Sequence, residues 1–161
     1  MMLALLLAAR LASAGESPDR AALLQAFRAF CFTPAAKAGA LGAPAVAAGF
    51  KPTPLITNNL GWDETAAWQR RGLRLFRMTA PADRQSRPMC GVTANINSLG
   101  ADDALVASVI ALTGSAFGEG HGERGVSGWM LAQRRGSVRI DIDRTSAPDA
   151  RVTLIAYPRL R

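Results

Sequence analysis

The segment that decides the fold runs from residue 90 to residue 114, CGVTANINSLGADDALVASVIALTG. Apolar side chains alternate with small or polar ones over its first seven residues, which is the pattern of a strand with one buried face. The apolar positions are Cys90, Val92, Ala94 and Ile96. The pattern predicts a strand that lies against a hydrophobic core.

The second half of the same segment predicts an α-helix. Asp102 and Asp103 stand at its start, where carboxylates interact favourably with the positive end of the helix dipole. Apolar residues at helical spacing follow from Leu105 to Leu112, and Gly114 is suited to end the helix. A strand followed by a helix is therefore the unit around which the other elements are arranged.

Four more strands are indicated on either side of this unit. Residues 126–134 and 137–143 alternate as a hairpin that turns at Arg135–Gly136, and residues 151–157 form the last strand. Residues 73–79 form a strand upstream. Together with the strand at Cys90, these segments predict an antiparallel sheet of about five strands.

The residues before the sheet predict a helix and then a less regular segment. Ser17 and Pro18 are typical of a helix start, and the apolar stripe that follows indicates a helix over residues 18–32. Residues 34–62 are less regular, with a short helical turn at 43–48, and a short helix is expected around Asp63–Glu64. The fold class predicted is α+β: a single domain over residues 15–161, with helices packed on one face of the sheet.

The N-terminus has the pattern of a signal peptide. Residues 1–9 are uncharged and rich in Leu and Ala, and Ala12 and Ala14 fit the small-x-small cleavage pattern, so we place cleavage after Ala14. Arg10 interrupts the apolar run, and an amphipathic N-terminal helix is the alternative. The run is about half the roughly 20 residues that a spanning helix needs, so no stable membrane span is expected. Residues 1–14 thus predict export to a bacterial periplasm or the extracellular space.

The two cysteines support export independently. Cys31 and Cys90 are an even pair far apart in the chain, which in an oxidising compartment indicates a disulfide. Their spacing excludes a CxxC redox motif or zinc knuckle. The sequence therefore predicts one Cys31–Cys90 bridge, and no metal or cofactor is expected.

The chain is basic, with a net charge of +7 and 17 Arg against two Lys. Base composition of the genome explains such Arg usage; attraction to anionic lipid or polysaccharide of the cell envelope is the alternative. The three tryptophans are not interleaved with basic residues as a stacking platform would require, so no nucleic-acid partner is expected.

Two arginine pairs are the candidate anion-binding residues: Arg70, Arg71, Arg134 and Arg135. Each pair is expected at a hairpin turn, and a shared sheet edge would bring four guanidinium groups together. The pairs lie in a repeated motif, QRRG, at residues 69–72 and 133–136. An internal duplication or two independent turns would both produce this repeat.

The single histidine, His121, stands between Glu119 and Glu123 in a glycine-rich stretch. A flexible loop could turn a carboxylate towards the imidazole and form a general base. The spacing does not match a helical HExxH motif, and an exposed polar loop is the simpler interpretation. The function expected is non-enzymatic binding or a structural role in the envelope. A basic module and an enzyme that uses the 119–123 loop are the alternatives.

Overall fold

The computed structural model describes residues 17–33, 36, 39–56, 63–79, 88–116, 118–134, 136–145 and 148–158. Its α-helices are α1 (Arg20–Cys31), α2 (Gly42–Ala47) and α3 (Asp102–Thr113). The candidate signal peptide and Arg135 lie outside the described residues. Within the part of the chain that is described, no helix is long and apolar enough to cross a membrane.

The strands form one antiparallel sheet of eight strands, in the order β1-β2-β3-β4-β8-β7-β6-β5. They are β1 (Lys51–Pro52), β2 (Asp63–Arg70), β3 (Leu73–Thr79), β4 (Met89–Ile96), β5 (Gly120–Glu123), β6 (Val126–Gln133), β7 (Gly136–Asp143) and β8 (Ala150–Pro158). The prediction of an antiparallel sheet with helices is confirmed, but the number of about five strands is wrong. The strands that the sequence did not indicate are β1, β2 and β5.

The sheet consists of two four-stranded meanders that meet at its centre. The first contains β1 to β4 and the second β5 to β8, and β4 pairs with β8 through a register that sets Thr93 opposite Thr153. Helix α1 precedes the first meander, and α3 connects β4 to β5 at the far edge of the sheet. Each meander is therefore preceded by a helix of 12 residues.

Helix α1 begins two residues later than its sequence pattern indicated. The Asp19 carboxylate, rather than the Ser17 hydroxyl, caps it by accepting a hydrogen bond of 2.7 Å from the Ala22 backbone N–H. One face of α1 is buried and packs against β4. Its largest buried side chains are Leu23, Phe27 and Phe30.

The disulfide is confirmed. Cys31 is the last residue of α1 and Cys90 lies in β4, with 5.3 Å between their Cα atoms. Both residues are buried. The bridge therefore ties the end of α1 to a central strand of the sheet.

The main core lies between the helices and one face of the sheet. Leu105, Val106 and Val109 of α3 join it, and Gly114 ends this helix in the left-handed conformation, as its pattern indicated. Because neighbouring residues of a strand point to opposite faces, alternate residues form a second, smaller cluster on the other face. That cluster contains Ala67, Phe76, Met78, Met89 and Ile155.

The QRRG motif lies at a hairpin turn in both meanders, but the two copies are one residue out of step. In the first hairpin Arg70 pairs with Leu73, so the last two residues of the motif form the turn. In the second, Gln133 pairs with Gly136, so the first and last residues of the motif close the turn. A shift of one residue exchanges the two faces of a strand, and the repeat therefore does not align the two hairpins.

Candidate ligand-binding groove

A groove with a volume of about 1180 Å³ opens between α1 and one end of the sheet. Its walls come from α1 and the residues just before it, the link between α2 and β1, and the β2–β3 turn. Asn95 near the end of β4 and Asp149 before β8 complete it. Segments that are distant in the chain thus form this cleft.

The bottom of the groove is apolar. Ala26 and Phe30 of α1 line it together with Phe50, and the two phenylalanine rings meet edge to face with 5.2 Å between their centroids. Phe30 and Phe50 are both buried. An apolar base with polar groups around it is the usual construction of a ligand site.

The β2–β3 turn closes one end of the groove. Arg71 and Gly72 both have positive φ, at 46° and 76°, which is typical of a two-residue hairpin turn. A Cβ atom on Gly72 would stand 2.7 Å from Cδ of Pro18, so the turn and the start of α1 approach closely only because residue 72 is glycine. This contact brings Arg71 to the rim of the groove.

Arg70 is held by the protein itself. Its guanidinium donates a hydrogen bond to the Ala48 carbonyl and lies over the Phe50 ring, 5.9 Å from the centroid. These contacts join β2 to the link between α2 and β1. Arg70 therefore shapes the groove wall and is not a free guanidinium.

Two charges of opposite sign line the groove without partners. Within the described residues, the side chains of Arg71 and Asp149 have no hydrogen bond or ion pair. Arg71 is exposed and Asp149 is half-buried. Both lie at the same end of the sheet, because Leu73 pairs with Ala94 of β4 and Ile96 pairs with Ala150.

The described arginines of the two pairs, Arg70, Arg71 and Arg134, are not brought together. The β2–β3 turn lies at the level of Val152, whereas Gly136 after the second turn pairs with Pro158, six residues further along β8. At about 3.3 Å per residue, the turns are roughly 20 Å apart along the strands. This exceeds the screening length of about 8 Å at physiological salt, so Arg70, Arg71 and Arg134 do not form one site.

The 119–123 segment is an edge strand rather than a loop. Gly120–Glu123 is β5, which pairs with β6, and Glu119, His121 and Glu123 are all exposed. None of these three residues lines the groove. Among the described residues, no group of three or more His, Cys, Asp or Glu side chains is placed to hold a metal ion.

A carboxylate of β7, Asp141, lies near the imidazole, and the sequence did not indicate that these two residues approach. Nε2 of His121 and Oδ1 of Asp141 lie 2.9 and 3.2 Å from the position that a Cβ on Gly128 would occupy. Gly128 thus leaves the space in which the two side chains approach. The signal in the sequence is Gly128, which lies in β6 between β5 and β7. This glycine becomes informative only once the strand pairing is known.

Asp141 is also bonded to Arg139 on the same strand. Nε of Arg139 donates to both carboxylate oxygens, at 2.9 and 2.7 Å. Burial lowers the pKa of the Arg139 guanidinium, but the hydrogen bond to Asp141 and its charge outweigh burial and raise this pKa. Asp143 instead accepts hydrogen bonds from Thr145, which lower the pKa of its carboxyl. The two aspartates therefore have separate partners and are not paired carboxylates.

Tyr157 provides a direct test of this arrangement, because it is the only tyrosine of the chain. Burial raises the pKa of its phenol, while the Arg139 charge opposes the increase. We expect Arg139→Gln to raise this pKa further, measured by tyrosinate absorbance in an alkaline titration. A pKa that falls in this variant would contradict the arrangement. The pKa of the Tyr157 phenol is thus higher in the folded chain than its value of about 10 in the unfolded chain. Its contribution to the free energy of unfolding is present below about pH 10 and is lost as pH rises through the folded pKa.

A buried ion pair that the sequence did not reveal holds the segment after β1 against the sheet. Nη2 of Arg74 lies 2.5 Å from Oε2 of Glu64, and both side chains are largely buried. Arg74 also donates to the Pro54 carbonyl and Glu64 accepts from the Ile56 N–H, so the pair anchors the chain after β1.

Comparison with family models, curated proteins and solved structures finds no match for this chain. The groove is the site that the geometry favours.

Proposed function

We propose that this protein is exported, acts in a bacterial periplasm, and binds a small ligand in the groove without transforming it. The observation that carries the proposal is the coincidence of an apolar base with unpartnered charges and amides at the rim. Such a combination favours a ligand with both apolar and polar groups.

Two features support export. The apolar N-terminal pattern that ends at Ala14 predicts a cleaved signal peptide. The buried Cys31–Cys90 disulfide is of the kind that persists in oxidising compartments. The periplasm is thus the compartment in which the processed chain would meet its ligand.

Binding is favoured over catalysis by the chemistry of the groove. Its described polar lining consists of amides, single charges and a serine, and His121 lies on β5, away from it. The exposed imidazole is therefore not placed to act on a ligand that is bound in the groove. The groove therefore supplies recognition groups rather than a general base with a nucleophile.

Three side-chain amides report on the groove by NMR. Gln25, Gln69 and Asn95 line it, whereas Gln133 donates to the Thr113 carbonyl and does not line it. We expect ligands found by screening small amphipathic fragments against the ¹⁵N-labelled, processed chain to shift the first three amide signals and leave Gln133 unchanged. Fragments that shift signals only on β5 and β6 would refute the proposal and favour the enzyme alternative.

A titration with anionic lipid vesicles tests the basic-module alternative. Anionic lipid vesicles would bind through exposed arginines, and their effect would decrease steeply as salt rises. Because the two turns lie at opposite ends of the sheet, Arg71→Gln and Arg134→Gln are expected to change vesicle binding equally and weakly. A large loss in only one variant would indicate that this turn binds anionic lipid.

A further inference from the structure

We infer that the groove binds short peptides with free termini, with the peptide carboxylate at Arg71 and its ammonium group at Asp149. This inference rests on the proposed function and names its ligand class. The occupant is argued from charge complementarity: of the charged residues that line the groove, Asp19 caps α1 and Arg70 bonds to Ala48, which leaves Arg71 and Asp149 without partners among the described side chains.

The distance between the backbones of Arg71 and Asp149 indicates the length of the ligand. Arg71 lies in the turn between β2 and β3, Asp149 precedes β8, and β4 stands between β3 and β8. With neighbouring strands about 4.8 Å apart, the two backbone positions are roughly 10 to 12 Å from each other. An extended peptide of about three residues, at about 3.3 Å each, spans this distance.

The groups that surround these charges suit the middle of a peptide. Gln25 on α1 lines the groove and carries an amide, which can donate to and accept from a peptide backbone. The apolar base formed by Phe30 and Phe50 suits one aliphatic side chain. A tripeptide such as Ala-Leu-Ala therefore matches the groove in charge, length and central side chain.

The experiment compares blocked peptides with charge-removing variants. Affinities of Ala-Leu-Ala, its N-acetyl form and its C-terminal amide are measured by calorimetry on the processed wild-type chain, Arg71→Gln and Asp149→Asn. Each variant is expected to bind the free peptide about tenfold to a hundredfold more weakly, the effect of losing one charged hydrogen bond. Arg71→Gln is expected to make no difference for the C-terminal amide, and Asp149→Asn none for the N-acetyl peptide.

Matched controls lie outside the groove. Arg124→Gln and Asp103→Asn remove the same charges from exposed positions, at the β5–β6 turn and in the first turn of α3. Both control variants are expected to bind the free peptide as the wild type does. Equal losses in the control and groove variants would show that net charge alone governs binding, and would overturn the inference.

The outcomes separate the inference from the proposed function. If fragments shift Gln25, Gln69 and Asn95 but the three peptides bind equally or not at all, recognition of termini is wrong and the groove remains the ligand site. If the free peptide binds and leaves these amides unshifted, both are wrong. ¹⁵N spectra of the variants check the fold, which is expected to persist because both altered side chains lack partners within the described residues.

Discussion

Loss of the Cys31–Cys90 disulfide is expected to lower the free energy of unfolding by about 4 kcal/mol. The bridge joins residues 59 positions apart, and closing a loop of that length removes much of the entropy of the unfolded chain. Urea unfolding of the processed chain with and without a thiol reductant measures the difference. Native-state relaxation makes this figure an upper value.

The double variant Cys31→Ala/Cys90→Ala separates the bridge from side effects of the reductant. Both cysteines are buried, so alanine preserves most of the packing at these positions. The variant is expected to be as unstable as the reduced wild type and insensitive to reductant. A stability loss below about 1 kcal/mol in both experiments would mean that α1 stays on the sheet without the bridge.

Phe27→Ala is expected to destabilise the protein by about 3 to 5 kcal/mol. The side chain of Phe27 is fully buried between α1 and the sheet, and its ring meets Phe32 edge to face with 5.2 Å between centroids. Alanine leaves a cavity that the surrounding core fills only in part. Phe27 lies one turn before Cys31, so the Phe27 ring and the Cys31–Cys90 disulfide hold the same end of α1.

The matched control for this prediction is Val46→Ala. Val46 lies on α2 and is 56% exposed, so its truncation is expected to change the free energy of unfolding by less than about 0.5 kcal/mol. Both variants are measured by urea unfolding with the disulfide intact. A Phe27→Ala cost below about 1 kcal/mol would show that the α1 interface is not part of the cooperative core.

Periodicity identified the elements whose two faces differ most. In residues 90–96 and 137–143 the apolar residues at alternate positions are buried, most of the polar residues between them are only half-buried, and the structure has strands there. The sequence predicts a short helix around Asp63–Glu64, but the structure has the start of β2 there. Alanines, which follow in this strand, carry little strand signal. The conformation of β2 depends on pairing with β3 and on the Glu64–Arg74 ion pair, which are contacts between separate segments.

Strand β5 was interpreted as a loop because two of its four residues are glycines. The structure supplies the reason for one of them: a Cβ on Gly120 would stand 2.5 Å from Nε1 of Trp129 on the neighbouring strand. A glycine in a strand often marks such a close approach. The sequence contains the glycine but not the tryptophan that lies over it.

The sequence predicts only some of the residues that form the groove. The sequence indicates arginines at the β2–β3 turn, but Arg70 is bonded to Ala48, and of these two arginines only Arg71 has no partner among the described residues. The carboxylate at Asp149 comes from the other meander of the sheet. Its proximity to Arg71 follows from the pairing of β4 with β8, which no local pattern reveals.

The central position of β8 bears on how the chain reaches its folded state. β8 is the last of the eight strands in the chain, yet it joins the two meanders through its pairing with β4. When the chain is synthesised from its N-terminus, one edge of β4 has no partner strand until β8 has been synthesised. Contacts between segments so distant in the chain form slowly. For the exported chain that we propose, this delay keeps the polypeptide extended while it is threaded across the membrane. Assembly of the sheet then completes on the far side, where the thiols of Cys31 and Cys90 can be oxidised.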